Sequence, residues 1–200
     1  MLTALRKTFG TITKAQEILL LLKDAKSVVR QGFYESELPR IEAFCKENKL
    51  FYIKSKFKVL LDDPENSFSN RGLRITEDNP RPGMFFIYIS KYEKSALLAS
   101  YAELLLRHKE LGQLLGYPEC CIDFFIQHFN EKQTNLELSP TNLWTNLSKR
   151  DEDCVLLSHF PCSSECQESI KLAKQYYKII MEEDKERGKV LGEKLVQESI

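Results

Sequence analysis

A chain of 200 residues, 42% hydrophobic and 29% charged, is long enough to bury a core without covalent staples and too apolar for intrinsic disorder. Its 29 lysines and arginines balance 29 aspartates and glutamates, so no net charge draws it toward nucleic acid or an anionic membrane. The apolar run at residues 18–22 is shorter than a secretory h-region and far below the about 20 apolar residues of a membrane span.

These features predict a cytoplasmic protein without membrane contact and with no clear nucleic-acid signal. The one basic patch, residues 54–58, is short. In a reducing compartment, six cysteines point to metal binding or thiol chemistry rather than to structural disulfides.

In chain order, residues 13–30 read as a helix. Thr13 and Gln16 have capping-box spacing, and Ala15, Ile18, Leu19, Leu22, Ala25 and Val29 recur on one side. A second helix opens near Pro39 and carries Ile41, Phe44 and Cys45. The texture then changes. Residues 50–61 are aromatic and β-branched and predict one or two strands, with Asp62, Asp63 and Pro64 as a turn. Residues 72–76 and 83–90 predict further strands. Strands without intervening helices predict a small antiparallel sheet.

From residue 92 the pattern is helical, with Ala96, Leu97, Ser100, Tyr101, Leu104, Leu105 and Leu111 at helical spacing and Gly116 as terminator. Pro118 opens the next helix. Residues 130–142, with Pro140, read as a polar loop, followed by a short helix around Leu143, Trp144 and Leu147. Pro161 is expected to open the last helical region, with Ile170, Ala173, Tyr177 and Ile180 as its buried stripe and Gly188 as its interruption. The C-terminal helix is a candidate homo-oligomer contact. The expectation is one α+β domain over residues 1–200. A subregion over 1–91 holds a small antiparallel sheet with flanking helices, and a mainly helical, cysteine-bearing subregion covers 92–200.

Four of the six cysteines fall in two knots, "GYPECCIDFF" at 116–125 and "HFPCSSEC" at 159–166. Each is predicted to start a helix, where unpaired N–H groups and the positive dipole end favour a thiolate. Cys162 and Cys166 are four apart and would share a helix face about one turn apart. Cys120 and Cys121 are adjacent and would point about 100° apart on a regular helix. Both reach one centre only if the helix start is distorted; otherwise one is a ligand or nucleophile and the other packs. His159 is a possible nitrogen ligand. His128 lies two turns beyond Cys121, and His108 is on the preceding helix. Cys45 and Cys154, each among apolar neighbours, read as core, although Cys154 is near enough in sequence to be a spare ligand.

Four thiols suit zinc or an iron–sulfur cluster. The spacing is not that of a zinc finger. It is similar to the Cys-Cys-Gly…Cys-x-x-Cys motif of heterodisulfide-reductase-type proteins, but has Ile122 in place of the glycine and a wider second pair. A closer resemblance rests on Gly116, Tyr117, Pro118, Cys120, Cys121 and Phe124, then His159, Pro161, Cys162, Ser163 and Cys166. This pattern, G-Y-P-x-C-C-x-x-F followed by H-x-P-C-S-x-x-C, resembles an uncharacterised, mainly archaeal family of unknown function, over roughly the second half of the chain. The resemblance supports the site and implies no reaction.

The leading expectation is therefore a metal-binding protein. Cys120, Cys121, Cys162 and Cys166 would hold an iron–sulfur cluster or zinc, with His159 as a further contributor. One alternative is a metal-free thiol/disulfide enzyme, with Cys121 or Cys162 attacking. Another is an interaction module with a structural cysteine cluster. The chain has no glycine-rich phosphate loop, no H-E-x-x-H and no G-x-S-x-G, so no nucleotide, protease or esterase chemistry is indicated.

Overall fold

Among the described residues, three helices end on a residue with positive φ that is not glycine: Asp24 (59°), Lys49 (55°) and Leu106 (56°). Each closes its helix with a left-handed cap, and these caps set the element boundaries. The computed structural model describes residues 1–61, 72–130, 133, 135–136, 142–145 and 154–197. The chain divides into two compact units, residues 26–116 and residues 1–25 with 117–200.

The unit of residues 26–116 is built on a sheet. Its strands are β1 (Val29–Phe33), β2 (Phe51–Leu61), β3 (Gly72–Thr76) and β4 (Met84–Ser90). They lie in the order β1-β4-β2-β3, every pair antiparallel. Residues 51–61 form one strand with a register shift between Lys54 and Lys58. Ser55, buried at that shift, uses its hydroxyl to bond the Phe57 carbonyl (2.6 Å) and to accept the Phe86 N–H (3.1 Å). A side chain thus supplies bonds that the irregular ladder cannot make.

Among the described residues, the α-helices that accompany the sheet are α3 (Leu38–Glu47), α4 (Glu93–Leu104) and α5 (His108–Leu114). α4 packs on β2 and β4 and sends the buried Glu103 toward the sheet. Its carboxylate accepts from Arg30 Nη2 (2.6 Å) and from the Tyr88 hydroxyl (2.8 Å). Arg30 also covers the Phe86 ring (3.9 Å) and Arg74 the Phe57 ring (3.8 Å), while the two rings meet edge to face at 5.8 Å. One row of arginine, phenylalanine, phenylalanine and arginine therefore crosses all four strands.

The other unit is helical: α1 (Leu2–Phe9), α2 (Ile12–Leu22), α6 (Glu119–His128), α7 (Gln167–Glu183) and α8 (Lys185–Gln197). α1 packs on α2, α2 on α7, and α7 on α8. Gln16, buried on α2, donates to the Val155 carbonyl (3.1 Å) and accepts from Arg187 Nε (2.6 Å). Asp184 accepts the Leu2 N–H (3.1 Å) and caps α8 through the Arg187 N–H (3.2 Å).

The α+β expectation holds: the N-terminal half carries the antiparallel sheet with flanking helices and the C-terminal half is mainly helical. Several boundaries are corrected. The helix expected over 13–30 is α2 alone, capped by Thr11, whose hydroxyl accepts the Lys14 N–H (3.1 Å). It ends where the Ala25 N–H bonds the Leu20 carbonyl (2.9 Å) around Asp24, and Val29 then enters β1. The run from 92 to Gly116 is two helices, α4 and α5, because Leu106 turns left-handed and the Arg107 N–H bonds the Ala102 carbonyl (2.7 Å). Gly116 does terminate α5, with φ 76°.

The last helical region breaks at Asp184, not at Gly188. Gly188 lies inside α8, where an added Cβ would come within 2.0 Å of Met181 Sδ and 2.9 Å of its Cα. The glycine therefore serves close helix packing rather than termination. The turn expected at residues 62–64, Pro140 and Leu147 lie outside the described residues. Among the described residues, no helix is long and apolar enough to cross a membrane.

Candidate metal centre

Pro118 has no N–H to satisfy and sits extended (φ −58°, ψ 138°) before the first turn of α6. Its carbonyl accepts from both Cys121 and Ile122 N–H, each at 3.0 Å. One acceptor shared between an i−3 and an i−4 bond tightens the turn. Cys120 and Cys121 are the second and third residues of this helix. Their sulfurs stand 3.8 Å apart, so both adjacent side chains turn toward one point.

The second knot is arranged otherwise than its spacing suggested. Pro161 does not open a helix, and α7 begins only at Gln167 with Cys166 as its N-cap. Cys162 lies in the preceding loop, so the two cysteines are not stacked on one helix face. The loop turns back where the Cys166 N–H bonds the Ser163 carbonyl (3.1 Å). A short 3₁₀ turn, Leu143–Thr145, fixes it from outside: Thr145 Oγ1 donates to the Ser164 carbonyl (2.7 Å) and Asn142 to the Glu165 carboxylate (3.3 Å). Trp144 in that turn packs edge-on against Tyr177 of α7 at 5.6 Å.

The two knots converge. Cys166 Sγ lies 3.6 Å from Cys121 Sγ and 3.7 Å from Cys120 Sγ. The ligand atoms of Cys120, Cys121, Cys162 and Cys166 all lie within 4.8 Å of one another. All four are free thiols. Four sulfurs bound tetrahedrally at about 2.3 Å have edges of about 3.8 Å. The donor set and the spacing therefore fit a single tetrahedral ion.

Hydrogen bonds to sulfur complete the centre. Cys121 Sγ is 3.2 Å from the Ser169 hydroxyl and 3.4 Å from the Cys162 N–H. Burial pushes the Cys121 thiol well up, against the pull of those two bonds. Burial, then Cys166 and Cys120, push Cys162 up to about 11. Burial also opposes ionisation of Cys166, but the Ser169 hydroxyl and N–H, with the Cys162 and Cys121 thiols, outweigh it and bring Cys166 down to about 7. One thiolate is thus provided for by the protein alone. Ionising Cys121 and Cys162, whose thiols burial pushes up, calls for a cation.

His159 stands one hydroxyl behind the sulfurs. It is buried, its Nε2 lies 2.9 Å from Ser169 Oγ, and its ring packs on Tyr117 at 4.9 Å. The Tyr117 hydroxyl in turn donates to the Ser158 carbonyl (3.2 Å). This is how an outer layer orients ligands in metal sites. His128 is exposed and contacts the Phe124 carbonyl and ring on its own helix. His108 belongs to the other unit, and burial lowers its pKa. Cys45, also in that unit, is core, and burial raises its thiol to about 12. Cys154 is half-buried and outside the group of four.

Ser169 is the residue that sequence reasoning missed. It is fully buried and links Cys121 to His159. Its signal is its place three residues after Cys166, one helical turn inside α7. Comparison with known proteins adds a family. A family model described as a protein of unknown function, DUF483, matches residues 95–195 and so includes all four cysteines, His159 and Ser169. No curated protein matches the chain, and no solved structure does. Over about half of its length, including the whole cysteine centre, the chain belongs to the DUF483 family of unknown function.

Proposed function

We propose that this protein binds one metal ion through Cys120, Cys121, Cys162 and Cys166, and that the ion is zinc. The observation that carries the reading is the sulfur spacing of 3.6, 3.7 and 3.8 Å, which fits the about 3.8 Å edge of a tetrahedral four-thiolate site. A four-iron cluster supports the spacing less well, because each cysteine then binds a different iron at a separate corner and the sulfurs must stand farther apart. A closed set of four thiolates leaves no open position for substrate, so the ion's contribution is to fold and charge rather than to a catalysed reaction. It would tie the start of α6 to the start of α7, in a cytoplasmic chain whose thiols stay reduced.

Metal analysis and an absorption spectrum on protein purified without oxygen test this. About one equivalent of zinc per chain, without visible colour, is the expected result, and replacement by cobalt should give the intense visible bands of tetrahedral thiolate coordination. Brown protein with iron and acid-labile sulfide would favour a cluster. Metal-free protein that ignores added zinc, with all four thiols freely titratable, would remove the reading.

One observation favours a second reading. The Cys166 thiol is brought down to about 7 and its sulfur lies 3.6 Å from Cys121, as in a pair made for thiol–disulfide exchange. Metal-free protein with a reversible Cys121–Cys166 disulfide would support it.

A further inference from the structure

The four sulfurs differ in access. Cys120 is exposed, Cys162 is half-buried, and Cys121 and Cys166 are buried at 2% and 6% exposure. A small oxidant in solvent therefore meets the centre first at Cys120. The sulfur of Cys120 has Cys166 at 3.7 Å and Cys121 at 3.8 Å, with Cys162 also within 4.8 Å. They are not equivalent as disulfide partners. Adjacent residues hold their Cα atoms about 3.8 Å apart across a trans peptide, below the roughly 4.4–6.8 Å that a disulfide spans. Bridging Cys120 to Cys121 would also distort the first turn of α6, in which both lie. Cys166 belongs to a different element, the N-cap of α7, and no such constraint applies.

Resting on the metal-site reading above, we propose that the centre is a peroxide-responsive switch: hydroperoxide oxidises Cys120, Cys166 resolves it as a Cys120–Cys166 disulfide, and the metal ion is released. The step balances. The Cys120 thiolate attacks one peroxide oxygen, the O–O bond breaks and hydroxide or alkoxide leaves, giving a sulfenic acid. The Cys166 thiolate then attacks the Cys120 sulfur, the S–O bond breaks and water leaves after protonation. Two thiolates lose two electrons and the hydroperoxide gains them. Two of the four ligands are consumed, and Cys121 and Cys162 alone do not complete a tetrahedral site. The new bond joins the start of α6 to the start of α7, the same two elements that the ion joins, so the oxidised chain keeps its connection without the metal.

The zinc-loaded full chain, treated with hydrogen peroxide in the presence of a colorimetric zinc chelator and then alkylated and mapped by mass spectrometry, tests this. The expected result is zinc release in step with a Cys120–Cys166 disulfide, and recovery of binding on adding dithiothreitol and zinc. Cys120→His keeps a four-ligand site of the Cys₃His type and removes the exposed thiol. It should hold zinc and lose it to peroxide on the order of tenfold more slowly, whereas Cys154→Ser should respond like the unaltered chain. Zinc that peroxide does not release, release at an unchanged rate from Cys120→His, or a disulfide that excludes Cys120 or joins it to Cys121 or Cys162 would overturn the switch while leaving the metal site standing. A chain that takes up no zinc at all would overturn both.

Discussion

Cys121 and Cys166 are 45 positions apart in sequence and hold their sulfurs 3.6 Å apart. One is in the first turn of α6 and the other caps α7. The hydroxyl of Ser169, one turn into α7, stands 3.2 Å from Cys121 and 2.9 Å from His159. The centre is therefore a meeting of two helix starts with a buried polar layer behind it, and that arrangement sets what its variants should do.

Ser169→Ala removes the link between His159 and Cys121. Both lose a partner inside the protein, which should cost about 1–3 kcal/mol of stability. The loss of an outer-layer contact should weaken zinc binding by about tenfold or more. Thermal melts and competition against a chelator of known affinity measure the two effects. Unchanged zinc affinity would show that Ser169 packs without orienting the ligand.

Glu103→Ala leaves Arg30, Arg74 and the buried Tyr88 hydroxyl without the carboxylate that joins them. Removing one member of a buried ion pair costs about 3–5 kcal/mol. The arginines are about one-third exposed, so solvent should bring the loss to about 3 kcal/mol or less. Denaturant titration checks it. The metal content should not change, since Glu103 and the cysteines lie in different units.

Asp184 supplies a pH signature. Burial pushes its carboxyl up, but the N–H groups of Arg187 and Leu2 pull it below the usual carboxylate range. A carboxyl whose folded pKa is depressed adds stability above its unfolded pKa of about 3.9 and loses it as pH falls through the folded value. The stability difference between the wild-type chain and Asp184→Asn should therefore be level at neutral pH and shrink as pH falls below about 4. Denaturation measured across that acid range reads it. A difference that stays constant through acid would mean that the Asp184 charge plays no part.

Gly188→Ala sets two effects against each other. Alanine is favoured over glycine inside a helix by about 1 kcal/mol. Its Cβ, however, would come within 2.9 Å of the Met181 Cα, and overpacking of this kind costs about 1–3 kcal/mol. Backbone cannot retreat as a side-chain tip can, so a net loss of stability is expected. A rise in Tm would show that α8 shifts on α7 at little cost.

Much of this was legible because it is local. The strand signal at 72–76 matches β3, and residues 83–90 match β4 to within one position. Pro118 before α6 and the left-handed Gly116 after α5 were marked by their own chemistry. The misplaced boundaries share one cause. Asp24 and Leu106 adopt the left-handed cap that glycine usually marks, so α2 read through into β1 and α4 read through into α5. At the last break, Asp184 caps α8 while the visible glycine, Gly188, serves packing. The second cysteine knot departs from its expected place because Pro161 looks like a first-turn proline, whereas α7 starts six residues later.

Residue identity and spacing alone specify that four of the six thiols come in two close-spaced pairs and that a proline precedes each pair. They also specify the α+β class, because periodicity, capping and turn chemistry act over a few residues and leave their mark in the string. It takes the folded chain to bring all four sulfurs within 4.8 Å, to turn the adjacent Cys120 and Cys121 toward one point, and to set Ser169 between His159 and Cys121. Those facts depend on packing α6 against the loop before α7. No local preference encodes a distance between residues 45 positions apart, because that distance is fixed by which buried surfaces fit together.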